Sequence, residues 1–171
     1  MTAFVVFTHP CAESFASAVL ERVVSGLHSN FATVEVADLY TDGYQPGSVL
    51  PTSHRTALDR ASTLVLVYPT WWSAQPAILL GWLIAAAESG LPSINTLVCV
   101  TTHGGGRLTN RLAGRAGRNT AERVVRSRCA PRARFHWLGC YGLDTSSENQ
   151  RVEFLDRVER VLGSISVREL H

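Results

Sequence analysis

Three short segments of the chain carry residues whose types and spacing suit the binding of a small ligand. They run from Thr8 to Phe15, from Tyr68 to Pro76 and from Thr101 to Arg107. Each segment follows a short apolar run of the kind that forms a buried strand. Because the carboxyl ends of parallel strands meet at one edge of a sheet, we expect the three segments to lie close together.

The first segment leads from a strand into the start of a helix. The free backbone N–H groups at a helix N-terminus, together with the positive end of the helix dipole, can bind an anion such as a phosphate. Ser14 can bond this anion, and His9 can donate a further hydrogen bond. The alternative is that Ser14 is an ordinary helix cap and His9 is a surface histidine.

The second segment contains two adjacent tryptophans, Trp71 and Trp72, between Pro69 and Pro76. Large rigid aromatic rings in such a loop can stack on a planar ligand. The alternative is that one indole fills the core and the other covers it. The flanking prolines indicate a turn, which favours the exposure of at least one ring.

The third segment contains three consecutive glycines, Gly104, Gly105 and Gly106. Glycine lets a backbone adopt positive φ and approach a ligand closely, so that its N–H groups can bond the ligand's edge. His103 stands directly before the glycines and is the histidine that we consider as a proton donor. The alternative is that the glycines form only a flexible connection.

The sequence around these segments alternates between strand and helix patterns. Strands are predicted at Ala3–Phe7, Thr33–Asp38, Thr63–Tyr68, Thr96–Thr101 and Arg134–Tyr141. Helices are predicted at Ser14–His28, Thr56–Arg60, Pro76–Glu88, Leu108–Ser127 and Ser147–Leu162. Five such units in sequence predict one α/β domain over residues 1–171, with a doubly wound parallel sheet and helices on both faces.

The composition excludes several kinds of chemistry. The chain has 171 residues and a formal net charge of +2, which is too small to indicate nucleic-acid binding by itself. All sixteen basic residues are arginine. The chain therefore lacks both the phosphate-binding lysine of a Walker loop and the amine of a Schiff-base enzyme.

The cysteines and the apolar runs indicate a soluble protein without a metal site. Cys11, Cys99, Cys129 and Cys140 are widely scattered and have no metal-ligand spacing. We expect them to be reduced thiols in a cytoplasmic protein. The N-terminus has no signal-peptide pattern, and the longest apolar run, Ala77–Ala87, is too short to span a bilayer.

Three motifs together resemble a known family. They are HPCAESF at residues 9–15, YPTWWSAQPAILLGWL at residues 68–83 and TTHGGG at residues 101–106, of which the second is the most specific. They are similar to the NAD(P)H dehydrogenase (quinone) family, the DT-diaphorase-like branch of the flavodoxin fold. The resemblance covers nearly the whole chain and implies five parallel strands in the order 2-1-3-4-5.

The resemblance also implies a flavin cofactor, hydride transfer from a nicotinamide, and a homodimer. FMN is favoured over FAD, because the helix start accounts for one phosphate and no adenine-pocket pattern is evident. By position in the family motif, the residues that would contact the phosphate side of the flavin are His9, Ser14, Phe15 and Ser17. The residues that would border the isoalloxazine ring are Pro69, Thr70, Trp71 and Trp72. The residues that would reach its pyrimidine edge are Thr101, Thr102, Gly104 and Gly105.

The chain departs from the family pattern beyond the second motif. Ile84 and Ala85 stand where family members carry Asp-Arg or similar, and the stretch after Glu88 is short. The Tyr and His that some members carry beyond the glycines are not matched, since Asn110 and Ala116 lie there. We therefore expect a site that is more open to acceptors than in those relatives.

An arginine series follows the third segment at a spacing close to one helical face, with Arg107, Arg111, Arg115 and Arg118. The first interpretation is a solvated surface that is paired in part with acidic residues of the last helix. The second is contact with the 2′-phosphate of NADPH, because guanidinium groups suit phosphate. Nucleic-acid binding ranks last, because no aromatic residues interleave with the arginines.

Two functions follow from these observations. The first is an oxidoreductase that transfers a hydride from NAD(P)H through FMN to a quinone-like or other small acceptor. The second is a non-catalytic binding or regulatory module with the same fold. In either case the run Ala77–Ala87 in the predicted helix Pro76–Glu88 is apolar all round, which predicts a homodimer through this helix. We expect no membrane partner, because this run is too short to span a bilayer, and no nucleic-acid partner.

Overall fold

The computed structural model contains one sheet of five parallel strands in the order β2-β1-β3-β4-β5. The structure describes residues 1–72, 74–88, 90–112 and 114–165. The strands are β1 Thr2–Phe7, β2 Thr33–Asp38, β3 Ala61–Thr70, β4 Thr96–His103 and β5 Arg134–Tyr141. The predicted flavodoxin-like strand order is confirmed.

Helices cover both faces of this sheet. They are α1 Phe15–His28, α2 Thr52–Arg60, α3 Ala77–Glu88, α4 Arg107–Leu112, α5 Ala116–Thr120 and α6 Glu148–Ser164. Helices α1 and α6 share one core with residues such as Val65, while α2 and α3 share the other with Leu64 and Leu66. Neighbouring strand residues point to opposite faces, so the apolar run from Leu64 to Tyr68 in β3 is buried on both sides of the sheet.

Serine caps begin the two helices that cover the first face. Ser14 precedes α1, and its hydroxyl accepts a hydrogen bond from the Ser17 N–H at 3.3 Å. Ser147 precedes α6 and exchanges hydrogen bonds with Gln150 in both directions, at 3.3 and 2.9 Å. Such caps satisfy N–H groups that lack partners within the helix, so the cap serines determine where each helix starts.

The predicted helical region over Leu108–Ser127 is helical but is divided into shorter pieces. The chain forms α4, reverses at Gly114 and Arg115, and resumes at α5. Both turning residues have positive φ, at 81° and 52°, a conformation that a right-handed helix does not contain. A π-helical turn over Ala121–Val125 and a short 3₁₀ turn then follow α5.

The strand register positions the carboxyl edge of the sheet. Strands β3 and β4 run side by side to their ends, where Pro69 pairs with Thr102 and Thr70 pairs with His103. Strand β1 ends before β3 does: its last residue, Phe7, pairs with Val67, and β3 continues to Thr70. The segment after β1 therefore starts three residues before the end of β3, which leaves a step at this edge.

Helix α3 has one buried side and one exposed side. Leu79, Trp82 and Leu83 are buried against the sheet, whereas Leu80 and Ile84 are exposed, with 57% of Ile84 accessible. The apolar residues on the exposed side fit the predicted dimer contact, which stays a prediction. Within the described ranges, no helix is both long and apolar enough to cross a membrane.

Candidate functional site

The first predicted segment begins with a buried threonine. The Thr8 N–H donates to the Val67 carbonyl at 2.9 Å, which holds the start of the segment against β3. The Thr8 side chain is fully buried, and its hydroxyl has no hydrogen-bond partner among the described residues. A buried hydroxyl without a partner is unfavourable, so this atom is a candidate contact for a ligand.

The rest of the first segment is folded onto itself. The Ser17 hydroxyl donates to the Ala12 carbonyl at 2.6 Å and lies 3.0 Å from the Ser14 hydroxyl. The His9 Nδ1 accepts from the Cys11 N–H at 3.1 Å. Phe15 turns towards α6, with its ring 6.3 Å from that of Phe154. Ser14 is therefore a helix cap, and the first N–H groups of α1 remain available to an anion.

The second segment exposes both of its tryptophans. Trp71 is 44% exposed and Trp72 is fully exposed, so the alternative in which one indole fills the core is excluded. Trp71 and Ala74 exchange backbone hydrogen bonds at 3.1 and 2.9 Å, which closes a tight turn. Trp72 lies in this turn with a φ of 51°, a strained conformation for a bulky residue. Exposed and strained aromatic residues are typical of binding loops.

A buried glutamine connects the second segment to α5. The Gln75 Nε2 donates to the Gly117 carbonyl at 2.9 Å. Both Gln75 and Gly117 are buried. The tryptophan turn and the segment after β4 therefore belong to one continuous surface.

The third segment differs from its prediction in two respects. Thr101, Thr102 and His103 belong to β4 itself, which is longer than predicted. None of the three following glycines has positive φ, so that part of the prediction is wrong. The small size of Gly104 instead allows close packing against the segment after β5, since a Cβ there would lie 2.5 Å from the Asp144 Oδ2, whereas a Cβ on Gly106 would meet nothing within 4 Å.

His103 is held by neighbours on both ring nitrogens. Its Nε2 lies 2.8 Å from the Thr101 hydroxyl and 3.5 Å from the Thr70 hydroxyl, and its Nδ1 lies 3.1 Å from the Asn110 amide nitrogen. The side chain is 3% exposed, and burial lowers the pKa of His103 to about 4. The imidazole is therefore neutral near pH 7, and a catalytic role for it stays a prediction.

The structure brings aromatic residues of β5 to the candidate site, which the sequence analysis missed. The Tyr141 ring stacks on His103 at 4.3 Å between ring centroids, and the Arg107 guanidinium lies over the Tyr141 ring at 5.3 Å from its centroid. The Trp137 Nε1–H donates to the Tyr141 hydroxyl at 3.1 Å. Gly139 was the available signal, because a glycine inside a strand marks a close approach, here of the Tyr141 ring.

The predicted flavin-binding residues lie after, or at the ends of, three neighbouring strands. The pairing of β3 with β4 places Pro69 and Thr70 beside Thr102 and His103, and β1 supplies the remaining segment. Thr101 is fully buried with its hydroxyl bonded to His103, so its side chain faces the protein rather than solvent. Whether these residues bind a flavin stays a prediction.

Comparison with known proteins agrees with this geometry. The family described as flavodoxin-like fold matches residues 1–121. An uncharacterized NAD(P)H oxidoreductase of Haemophilus influenzae is 30% identical over 105 residues, which cover 53% of this chain and 52% of the relative. The chain thus spans about half the length of this curated relative.

Solved structures resemble the chain over nearly its full length. An NAD(P)H:quinone oxidoreductase from Methanothermobacter marburgensis has a TM-score of 0.75 and 25% identity, covering 95% of this chain and 96% of that one. An FMN-dependent NADH-azoreductase from Bacillus anthracis, solved in complex with FMN, has a TM-score of 0.70 and 13% identity, covering 95% and 98%. The family resemblance found in the three motifs is confirmed, and the chain belongs to the flavodoxin-like fold family.

Proposed function

We propose that this chain is an NAD(P)H oxidoreductase that carries FMN at the carboxyl edge of its sheet. It transfers a hydride from the nicotinamide to a quinone-like or other small acceptor. The names of the Haemophilus and Methanothermobacter proteins support the oxidoreductase activity. The Bacillus azoreductase, which binds FMN in the same fold, supports the choice of FMN over FAD.

One observation carries this proposal, namely the convergence of three ligand-binding segments on neighbouring strands. The N-terminus of α1, an exposed pair of indoles and the end of β4 lie at the point where the strand order reverses. Ligands of doubly wound sheets bind at this switch point. The helix start can bind a phosphate, the indoles can stack on a planar ring, and the end of β4 can bond the polar edge of that ring.

The residues present fit a flavin mononucleotide. The N–H groups at the start of α1 would hold its phosphate, and the Thr8 hydroxyl offers a buried group that lacks a partner in the protein. Trp71 and Trp72 would cover the ring system, which their exposure allows. The backbone from Thr102 to Gly105 would bond the polar edge of the ring.

A bound flavin would supply the ability to accept a hydride from a nicotinamide and to deliver it to an acceptor. The protein's own residues provide position and proton supply. The neutral His103 orients Tyr141 by stacking and does not carry a positive charge near pH 7. Because the Tyr141 oxygen accepts from Trp137, its own O–H proton stays free for donation to a ligand.

A second copy of this chain is the proposed partner. The exposed side of α3 presents Leu80 and Ile84, and the Trp71–Trp72 turn lies just before this helix. Burying these side chains against a second copy would remove apolar surface from water. We propose a cytoplasmic homodimer on this basis.

The purified protein tests the proposed function directly. A yellow preparation with flavin absorbance, or quenching of tryptophan fluorescence on addition of FMN to colourless protein, is the expected result. Anaerobic addition of NADH or NADPH should then bleach the flavin band. A protein that neither carries nor binds FMN or FAD would contradict the proposal and would favour the non-catalytic module.

A further inference from the structure

A pocket of about 430 Å³ lies beside the candidate flavin site, between the edge strand β5 and the segment from α4 to α5. Among the described residues, five arginines line this pocket, which we call the arginine pocket: Arg107, Arg111, Arg115, Arg118 and Arg157. None of the described residues that line it is an aspartate or glutamate. Its volume lies in the range of small-molecule sites, and its charge suits an anion.

The arginines reach the pocket from a broken helix rather than from one helical face. Arg107 and Arg111 are one turn apart on α4, and the reversal at Gly114 and Arg115 brings Arg118 of α5 to the same pocket. Arg115 itself has a φ of 52°. A left-handed conformation is unfavourable for a residue with a side chain, and such residues cluster at ligand sites.

Most of the positive charge in the pocket is uncompensated. Arg118 pairs with Glu122 at 3.4 Å, whereas Arg111, Arg115 and Arg157 form no ion pair within the part of the chain that the structure describes. The prediction that acidic residues of the last helix pair with the series is contradicted for Asp156 and Glu159, which pair with Arg22 instead. These arginines repel one another, so a bound anion would stabilise them.

One wall of the arginine pocket is aromatic. Trp137 and Tyr141 lie on the same face of β5 and are joined by the 3.1 Å hydrogen bond. Gly139 stands between them, and a Cβ there would lie 2.7 Å from the Tyr141 ring. An aromatic wall opposite guanidinium groups can hold a flat heterocycle together with a phosphate.

Two side-chain contacts connect the surroundings of the pocket with the candidate flavin site. Tyr141 stacks on His103, which lies at the end of β4, and Gln75 connects the tryptophan turn to α5. A ligand that fills the arginine pocket would therefore have one end close to the flavin edge. A dinucleotide has this form, with a charged nucleotide at one end and a reactive ring at the other.

We propose that the arginine pocket binds the 2′-phosphoadenosine end of NADPH. The arginines hold the 2′-phosphate, and the adenine lies against Trp137. This inference rests on the proposed function and adds to it a preference for NADPH over NADH. The pocket would recognise a phosphorylated nucleoside, so binding of a free nucleotide tests the proposal without the rest of NADPH.

Calorimetry on the protein as purified tests the pocket without turnover. We expect adenosine 2′,5′-bisphosphate to bind at least tenfold more tightly than adenosine 5′-diphosphate, and inorganic pyrophosphate to bind more weakly than either. Arg111→Gln should weaken the bisphosphate at least tenfold, while Arg123→Gln, which changes an exposed arginine outside the pocket, should not. Equal binding of both nucleotides, or retention of affinity in Arg111→Gln, would overturn the proposal.

Turnover separates this inference from the proposed function. The kcat/KM ratio of NADPH to NADH should exceed ten in the unaltered protein and fall towards one in Arg111→Gln. Oxidation of both nucleotides with no preference would refute the pocket assignment and leave the oxidoreductase function standing. Arginine-dependent nucleotide binding without flavin or turnover would refute the oxidoreductase function and leave the pocket standing.

Discussion

At the scale of single residues, Thr8 carries a buried hydroxyl at the candidate site for which the described residues provide no hydrogen-bond partner. Its hydroxyl is buried and unpartnered, which costs about 1–3 kcal/mol relative to a paired group. The neighbouring Thr101 hydroxyl, by contrast, is bonded to His103 at 2.8 Å. A ligand that bonds Thr8 would remove this cost, so the residue connects stability with binding.

Thr8→Val should raise the free energy of unfolding of the flavin-free protein by about 1 kcal/mol, because valine has the same shape and no hydroxyl. It should weaken FMN binding about tenfold, which corresponds to one lost hydrogen bond. Urea unfolding and fluorescence titration measure the two effects. Thr63→Val, at the opposite end of β3, is the control and should leave FMN affinity unchanged. Unaltered FMN affinity in Thr8→Val would place the flavin elsewhere.

His103 predicts a pH dependence of stability. Burial lowers its pKa to about 4, below the ordinary value of 6.5, so the folded state binds fewer protons than the unfolded state between these values. Its contribution is therefore fully present above pH 6.5 and is lost as the pH falls through 4. One such group changes the free energy of unfolding by at most about 1.4 kcal/mol per pH unit.

His103→Gln keeps a hydrogen-bonding side chain and removes this titration. Urea unfolding at several pH values from 7 to 4 should show a shallower loss of stability in the variant than in the unaltered protein. Burial also lowers the pKa of His54 and His136, which give both proteins the same background slope. Identical slopes in the two proteins would show that folding does not lower the pKa of His103.

At the scale of elements, the break between α4 and α5 makes part of the predicted helical region into the wall of an arginine-rich pocket that suits an anion. Gly114 turns the chain without steric cost, and Arg115 does so with a side chain that reaches the arginine pocket. A residue better suited to left-handed backbone would stabilise this turn, and the proposed binding role would account for an arginine here.

Arg115→Asn should therefore stabilise the protein by about 0.5–1 kcal/mol and weaken binding of adenosine 2′,5′-bisphosphate, because asparagine tolerates positive φ but lacks the charge. Arg132→Asn is the matched control, since Arg132 also has positive φ, at 66°, and lies outside the pocket. Thermal unfolding should rise in both variants, and nucleotide affinity should fall only in the first. A loss of affinity in both variants would point to a general charge effect.

At the scale of the whole molecule, the apolar side of α3 is the surface that a single copy leaves uncovered. Leu80 and Ile84 are exposed on a helix that carries no basic residue and only Glu88 as an acidic one. Surfaces of this kind are typical of contacts between subunits.

Ile84→Glu should convert the proposed dimer into a monomer, because a buried unpaired carboxylate at the contact is unfavourable. Light scattering with size-exclusion chromatography at micromolar concentrations measures the change. Val152→Glu, which places the same charge on the exposed side of α6, should remain dimeric. A monomer in the unaltered protein at high micromolar concentration would contradict the dimer.

Much of the fold could be predicted because its signals are local. The apolar runs of β1, β3 and β4 are near-continuous, and such runs are typical of strands buried on both faces by flanking helices. Strands β2 and β5 agree with their predicted bounds residue for residue. Ser14 and Ser147 mark helix starts through hydrogen bonds within four residues, which spacing alone can indicate.

The sequence by itself determined the order of the elements and the three segments at the strand ends, since these depend on neighbours along the chain. Tertiary structure decided the rest. The contact of Tyr141 with His103, the unpartnered hydroxyl of Thr8 and the convergence of the arginines depend on pairing between strands and on one reversal of the chain. Periodicity carries no information on contacts between residues far apart in sequence, because those contacts form only when the sheet brings distant segments together.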